Sequence, residues 1–292
     1  MLLPRKVRPL MKKIAILGSG NIGCDLLVKC QETHGLRIVS FAGRHANSKG
    51  LEFALRRGAP ITDRSMEGVL EDGEIPDILI DCTSAAYHQY NYDLCKKYGI
   101  RIVDMTPAKL GVSCCPVVNL EACLGADNIN MISCGGQASL PICLAIKQAN
   151  PAIDYIEVVS TISSASAGPG TRKNISQYIT ATQKAIRDML GISFVKVIIN
   201  ITPAIPPIHM KTSILVDSEV ISSESETRTS IESIAVRVRT YAPGYYTSVD
   251  LRRLGHKTIC QVQVTGSGHY LPAYAGNLDI INCAALEVIK KL

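Results

Sequence analysis

Apolar residues fall into short runs separated by amphipathic stretches early in the chain, and into longer β-branched runs later. Lys13–Leu17 is a brief apolar run, and Ile22–Thr33 reads as a helix that opens just after glycines. Leu36–Ala42 is β-rich and Ser48–Arg57 helical. Asp77–Cys82 reads as a buried strand, Tyr87–Tyr98 as a helix and Ile100–Met105 as another strand. Strands separated by helices of roughly ten to fifteen residues predict βαβ units and a parallel sheet. Beyond residue 125 come Tyr155–Ser163, Val195–Ile201, Thr212–Val216 and Thr258–Thr265, joined by Gly/Pro-rich loops, with one helix expected at Ser176–Leu190. That texture predicts an α+β unit with a largely antiparallel sheet. Gly276–Leu292 has apolar residues at helical spacing and predicts a closing helix. Ser222–Ser230 reads as a loop or the start of a helix.

Composition narrows the classes. With 292 residues, 47% of them hydrophobic and 19% charged, the chain has enough apolar surface to fold and too little charge for a disordered protein. Its apolar runs, such as Val195–Ile201 with a lysine inside it, fall far short of the ~20 residues that span a bilayer, so no membrane partner is expected. The net charge of +6 is concentrated at the start: Arg5, Lys6, Arg8, Lys12 and Lys13 have no acid among them. Residues 1–11 are expected to be a disordered basic extension. Without them no basic face remains, and nucleic acid is not expected as a partner. The eleven cysteines are odd in number and none has CxxC spacing, which points to free thiols in a reducing compartment and, with no signal peptide evident, to the cytoplasm. Close Cys/His pairs of the kind that hold zinc are missing, so no metal is expected.

Four segments carry candidate chemistry. Gly18-Ser19-Gly20-Asn21-Ile22-Gly23 lies between a strand and a helix, where glycines let the backbone turn tightly and approach a pyrophosphate. The second strand ends at Arg44-His45 with no acid for a ribose, and Arg44 suits a 2′-phosphate, so both NAD and NADP stay open. Cys134 follows a strand and precedes Gly135, Gly136 and an apolar helix over Ala138–Ala149. A thiol at a helix start feels the positive end of the dipole, its pKa is expected to fall towards neutrality, and the glycines would leave room for a substrate carbonyl. A buried structural cysteine has equal weight on spacing alone. The loop Ser163–Asn174 combines small residues, two glycines and Arg172, which suits a flat or anionic ligand or an ordinary surface loop. Gly266–Asn277 places glycines, His269 and an amide ahead of the last helix; His269 by itself reads as a satisfied surface side chain rather than a base.

Together these motifs resemble the acylating acetaldehyde dehydrogenases, the partners of 4-hydroxy-2-oxovalerate aldolases in aromatic catabolism. The resemblance runs from Lys12 to Leu292 and includes GSGNIG, the segment Cys82–Ala85, Val117–Glu121, NMISCGGQA around Cys134, ISSASAGPGTR with Asn174, Pro243–Tyr245 and Tyr270–Ile280. It implies an α/β Rossmann-type dinucleotide-binding domain over 12–128, an α+β catalytic and dimerisation domain over 129–275, and a helix over 276–292 packing back on the first. This is the glyceraldehyde-phosphate dehydrogenase-like architecture. It implies that Cys134 attacks a short aldehyde, that hydride passes to NAD (NADP remaining possible), and that coenzyme A takes the acyl group from a thioester. By the same resemblance Ser19, Gly20, Asn21, Ile22, Ser166, Ala167, Gly168, Pro169, Gly170, Thr171, Arg172, Lys173, Asn174 and Asn277 hold the cofactor. A homodimer and a possible aldolase partner are implied as well.

The chain also departs from that family. Arg44-His45 stands where an acid is common, Ala165 where a lysine is usual, and the stretch between Tyr245 and Thr258 is short. Thr212 occupies the position of the aspartate credited with helping to activate the thiol, and a hydroxyl cannot serve as a base at neutral pH. Two alternatives therefore stand beside the leading expectation: a phosphorylating semialdehyde dehydrogenase of related fold, and a weakly active scaffold for an aldolase.

Overall fold

The computed structural model describes residues 11–292, with the side chains of residues 169, 248–250 and 252 left aside. The basic extension expected over 1–11 therefore lies, apart from Met11, outside the described residues. The chain opens with β1 (Lys12–Leu17), α1 (Asn21–Glu32), β2 (Leu36–Ala42), α2 (Lys49–Arg56), β3 (Ile61–Thr62), α3 (Ser65–Glu71), β4 (Ile78–Asp81), α4 (Ala85–Tyr98) and β5 (Arg101–Asp104). Then come β6 (Val112–Ser113), α5 (Pro116–Cys123) and β7 (Asn128–Asn130). These strands form one parallel sheet in the order β3-β2-β1-β4-β5-β7-β6. Strand order reverses between β1 and β4, and such a switch point opens a crevice beyond the carboxyl ends of the strands. The central strands are apolar on both faces because helices cover both: Ile14, Ile16, Ile78 and Ile80 pack under α1 and the last helix, while Ala15, Leu17, Leu79 and Ile102 face Met66, Val69 and Cys95.

The second half contains α6 (Cys134–Ala149), β8 (Tyr155–Ser163), α7 (Pro169–Lys173), α8 (Ile175–Leu190), β9 (Phe194–Thr202) and β10 (Met210–Asp217). It continues with α9 (Glu224–Arg239), β11 (Tyr245–Leu254), β12 (Lys257–Val264) and α10 (Gly276–Lys291). Its sheet runs β11-β12-β10-β8-β9, antiparallel except for the β8–β9 pair. β8 alternates Ile156, Val158 and Ile162 into the core with the part-exposed Tyr155, Glu157, Val159 and Thr161 on the opposite face. α6, α8 and α9 cover the inner face only. Of the two readings open for Ser222–Ser230 the structure takes the start of a helix, α9, while α3, α5, β3, β6 and β11 were not among the sequence-expected elements. The Ser-rich start of α9 conceals an ordinary helix whose cap, Ser223, accepts from the Glu226 N–H at 3.3 Å.

Two helices join the sheets. α6 packs against α8, α9 and α10, and α10 packs against α1 as well as α6. α10 is held to α1 by buried charge: Lys29 Nζ lies 2.7 Å from Asp279 Oδ1, 3.3 Å from Asp25 Oδ2 and 3.0 Å from His269 Nδ1. Asp25, His269 and Asp279 are close enough together to surround a cation, and the Lys29 ammonium is the cation among them. A second buried network braces the first sheet. His88 Nδ1 meets Asp81 Oδ2 at 2.9 Å, its Nε2 lies 3.3 Å from Asp104 Oδ2, and Asn91 donates to the same Asp81 oxygen. Burial opposes the charge on His88, but Asp81 and Asp104 outweigh it and hold its pKa above 6.5.

Candidate active site

The switch-point crevice is a cavity of about 530 Å³ at the ends of β1, β2 and β4. Gly18, Ser19 and Gly20 line one side, Gly43, Arg44 and His45 another, and Thr83, Ser84 and Tyr87 a third. The three motif glycines do different things. A Cβ on Gly18, whose φ is +120°, would sit 2.7 Å from the Cys82 carbonyl oxygen, and one on Gly23 would sit 2.0 Å from that of Gly18. Both are required by packing. A Cβ on Gly20 would meet nothing within 4 Å, so the space beside the start of α1 is open to a ligand. Ser19 Oγ is held at 2.9 Å by Ser48, the cap of α2. Asn21 and Ile22 form the first turn of α1, with Ile22 packed against the core. The Arg44 guanidinium lies over the Tyr87 ring at 5.6 Å, which sets a fixed positive charge at the rim.

Cys134 sits where the two cores meet, packed against both. β7 ends at Asn130, and the chain turns through Ile132 at φ +65°, a left-handed conformation that a β-branched residue adopts only under strain. The turn is braced: the Asn130 carboxamide accepts from the Ile132 N–H at 2.9 Å and donates to Asp104 at 2.8 Å. Ser133 caps α6 by accepting from the Gly136 N–H at 2.9 Å. Cys134 is thus the first residue of α6, four residues before the start expected from the sequence, because the cap brings the glycines inside the helix.

Two expectations about this cysteine change. Burial pushes its thiol up to about 11, over the opposing pull of the Gly135 and Cys134 backbone N–H groups. The helix start is there, but desolvation of a thiolate wins. The glycines are not empty space either. A Cβ on Gly135 would fall 1.8 Å from the Tyr178 hydroxyl, and one on Gly136 would fall 2.8 Å from Ile132 Cγ2. Their small size admits protein side chains rather than substrate.

Buried hydroxyls pair on the elements that pack against α6. Thr212 and Ser160 are fully buried and pair at 2.9 Å across β10 and β8. Ser133 Oγ pairs with Thr182 Oγ1 at 2.7 Å, tying α6 to α8, and Tyr178 lies one turn before Thr182 on the same face of α8. Tyr178 was not singled out by sequence; a tyrosine in an amphipathic helix gives no local sign that its hydroxyl meets a cysteine over forty residues earlier. Among the described residues no carboxylate figures among the influences on the Cys134 thiol.

The remaining expected residues lie elsewhere. Ser166 to Asn174 leave the end of β8 as a 3₁₀ turn and then α7. Ser166 and Ala167 are buried, and Gly168 and Gly170 have open space beside them. Arg172 is engaged within its own loop, donating from Nε to the Ala167 carbonyl at 3.0 Å and from Nη2 to Ser164 Oγ at 2.8 Å; Asn174 likewise donates to the Gly170 carbonyl at 2.8 Å. Thr171 and Lys173 belong to α7, and the side chain of Pro169 lies outside the description. None of these residues lines the cavity at Gly18–Gly20. Asn277, at the start of α10, is fully buried and neither atom of its carboxamide has a partner. Such a group is costly unless something else completes its hydrogen bonds.

A Rossmann-type parallel sheet, a mixed second sheet covered on one face, and a cysteine between them define the glyceraldehyde-phosphate dehydrogenase-like class of fold. Residues 134–272 match the family model of the prokaryotic acetaldehyde dehydrogenase dimerisation region. The chain is 41% identical to acetaldehyde dehydrogenase of Pectobacterium atrosepticum, across 99% of this chain and 97% of that protein. It is 41% identical to that of Spirochaeta aurantia across 99% and 96%, and 39% identical to that of Geobacillus stearothermophilus across 96% and 95%. The chain belongs to the acetaldehyde dehydrogenase family.

Proposed function

We propose that this protein is a CoA-acylating aldehyde dehydrogenase, converting a short aldehyde, coenzyme A and NAD(P)+ to the acyl-CoA and NAD(P)H. The observation that carries the reading is Cys134 at the start of α6, part-exposed between the two cores, in a chain whose full-length relatives bear the name acetaldehyde dehydrogenase. The residues fit a nicotinamide dinucleotide. Gly20 leaves open space at the start of α1 for a pyrophosphate, Arg44 stands over Tyr87 at the rim, and Asn277 has an unpartnered buried carboxamide suited to that of a nicotinamide. When bound, the dinucleotide supplies a hydride acceptor. The chain's own part is covalent. Sγ of Cys134 bonds to the aldehyde carbon, the carbonyl electron pair moves to oxygen, and the thiol proton ends on that oxygen. Loss of hydride from that carbon to the acceptor and of the hydroxyl proton leaves a thioester on Cys134; the sulfur of CoA then bonds to the acyl carbon as the bond to Sγ breaks, and the CoA thiol proton returns to Cys134.

The reading extends to the assembly and its setting. Among the described residues no helix covers the outer face of the second sheet, which suits a homodimer, in keeping with the dimerisation region that residues 134–272 match. Eleven free thiols suit the reducing cytoplasm, and among the described residues no helix is long and apolar enough to cross a membrane. The test is dinucleotide reduction with an aldehyde panel, with and without CoA, alongside Cys134→Ala. Activity should require both aldehyde and CoA and vanish in the variant. Activity with phosphate but not CoA would point to the phosphorylating alternative, and failure to trap a thioester on Cys134 by mass spectrometry would point to the scaffold.

A further inference from the structure

We propose that the Tyr178 hydroxyl is a catalytic hydrogen-bond donor to the substrate oxygen in the thiohemiacetal formed on Cys134. The inference rests on the functional reading above and adds to it a group that stabilises the charge created when the thiol attacks.

Three observations converge. The hydroxyl is buried and has no hydrogen-bond partner. It lies over the first turn of α6, close enough to Gly135 that a side chain there would overlap it at 1.8 Å, and close enough to Cys134 that a thiolate's charge acts on it. Ser160 is its polar neighbour, but that hydroxyl pairs with Thr212 at 2.9 Å and makes no hydrogen bond of good geometry to the phenol, which stays open to something that arrives at the cysteine. A buried phenol without a partner is costly, and the cost is recovered when a developing oxyanion accepts its hydrogen bond. Burial and the Cys134 charge also hold Tyr178 well above its usual pKa, so it keeps its proton and acts as a donor, never as a base.

Placement supports the role. α8 is fixed to the start of α6 by the Thr182–Ser133 bond at 2.7 Å, and Thr182 in turn donates to the Tyr178 carbonyl at 2.8 Å. The hydroxyl therefore needs no reorganisation at the moment of reaction, which is the condition under which one donor counts most. It also meets a need left by Thr212. With no carboxylate among the described residues acting on the thiol, the proton must travel to the carbonyl oxygen as the C–S bond forms, and a donor at that oxygen eases the addition.

Tyr178→Phe keeps the ring and removes only the donor. With wild-type protein turning over aldehyde and CoA, kcat/KM for the aldehyde is expected to fall by about 100-fold. The KM for the dinucleotide should stay unchanged, as should the rate of Cys134 alkylation by iodoacetamide, a reaction that creates no oxyanion. Wild-type kcat/KM in the variant would overturn the proposal and leave the functional reading standing, as would a fall in alkylation equal to the fall in turnover. A wild-type protein without aldehyde- and CoA-dependent activity would remove the functional reading and the tyrosine's role together.

Discussion

A thiol at the first position of a helix is pulled in two directions. The free N–H groups favour the thiolate, whereas the apolar walls that position it disfavour any charge. In Cys134 the walls prevail and the thiol is pushed up to about 11. Below that value the thiolate is a small fraction that grows with pH, so alkylation of Cys134 in the ligand-free protein should rise about tenfold per pH unit between about pH 7 and 9. Mass spectrometry of the modified peptide measures this, and a plateau below pH 8 would show a thiol already activated without substrate. The residues around it were unequally legible. Cys134 stood out because strand, glycines and helix are adjacent in sequence. Thr212 stood out only through the family resemblance, and Tyr178 and the pairing of Thr212 with Ser160 did not stand out, because each acquires its meaning from partners dozens of positions away.

At the scale of elements, period and punctuation located most strands and helices, and the local chemistry explains why: Gly99 ends α4 and Gly191 ends α8 in left-handed conformations, at φ +67° and +62°. α9 was left between a loop and the start of a helix because its first turn is serine and glutamate, yet its signals were present in Glu224 and Glu226 early and Arg237 and Arg239 late. The closing helix could be read from sequence, but not what it is tied to. The Lys29–Asp25–Asp279 cluster joins α1 to α10 with both partners buried, and breaking it leaves an ammonium short of a counter-charge. Asp279→Ala should lower the unfolding free energy by about 3 kcal/mol in urea titrations. A loss within error would mean that Asp25 alone satisfies Lys29. Asn277 starts the same helix two residues before Asp279, so on the proposed reading the KM for the dinucleotide should rise in this variant as well.

The whole molecule is two sheets bridged by α6 and α10, and it leaves one large surface uncovered. On the outer face of the second sheet Val159 stands opposite Ser213, with Leu215 next along β10, and among the described residues no helix lies over them. At the edge strand, Phe194 is 65% exposed. If two copies pair through this face, Val159→Glu places a charge at its centre, and sedimentation should show monomers where the parent sediments as a dimer. A variant that still sediments as a dimer would locate the contact elsewhere.

The pattern of apolar residues alone determined the order of most strands and helices, the parallel character of the first sheet and the largely antiparallel character of the second, because those follow from periodicity and turn chemistry within a few residues. The motifs alone marked the glycine turn and the cysteine. Tertiary structure decided the rest: which glycines are filled and which is open, the loss of Arg172 to its own loop, the unpartnered Asn277 and the unpartnered hydroxyl of Tyr178. Burial and long-range contact set those, and neither is a property of a short window of sequence. The same N-terminal position that should have activated Cys134 also buries it, and the balance between the two exists only once both cores have closed around it.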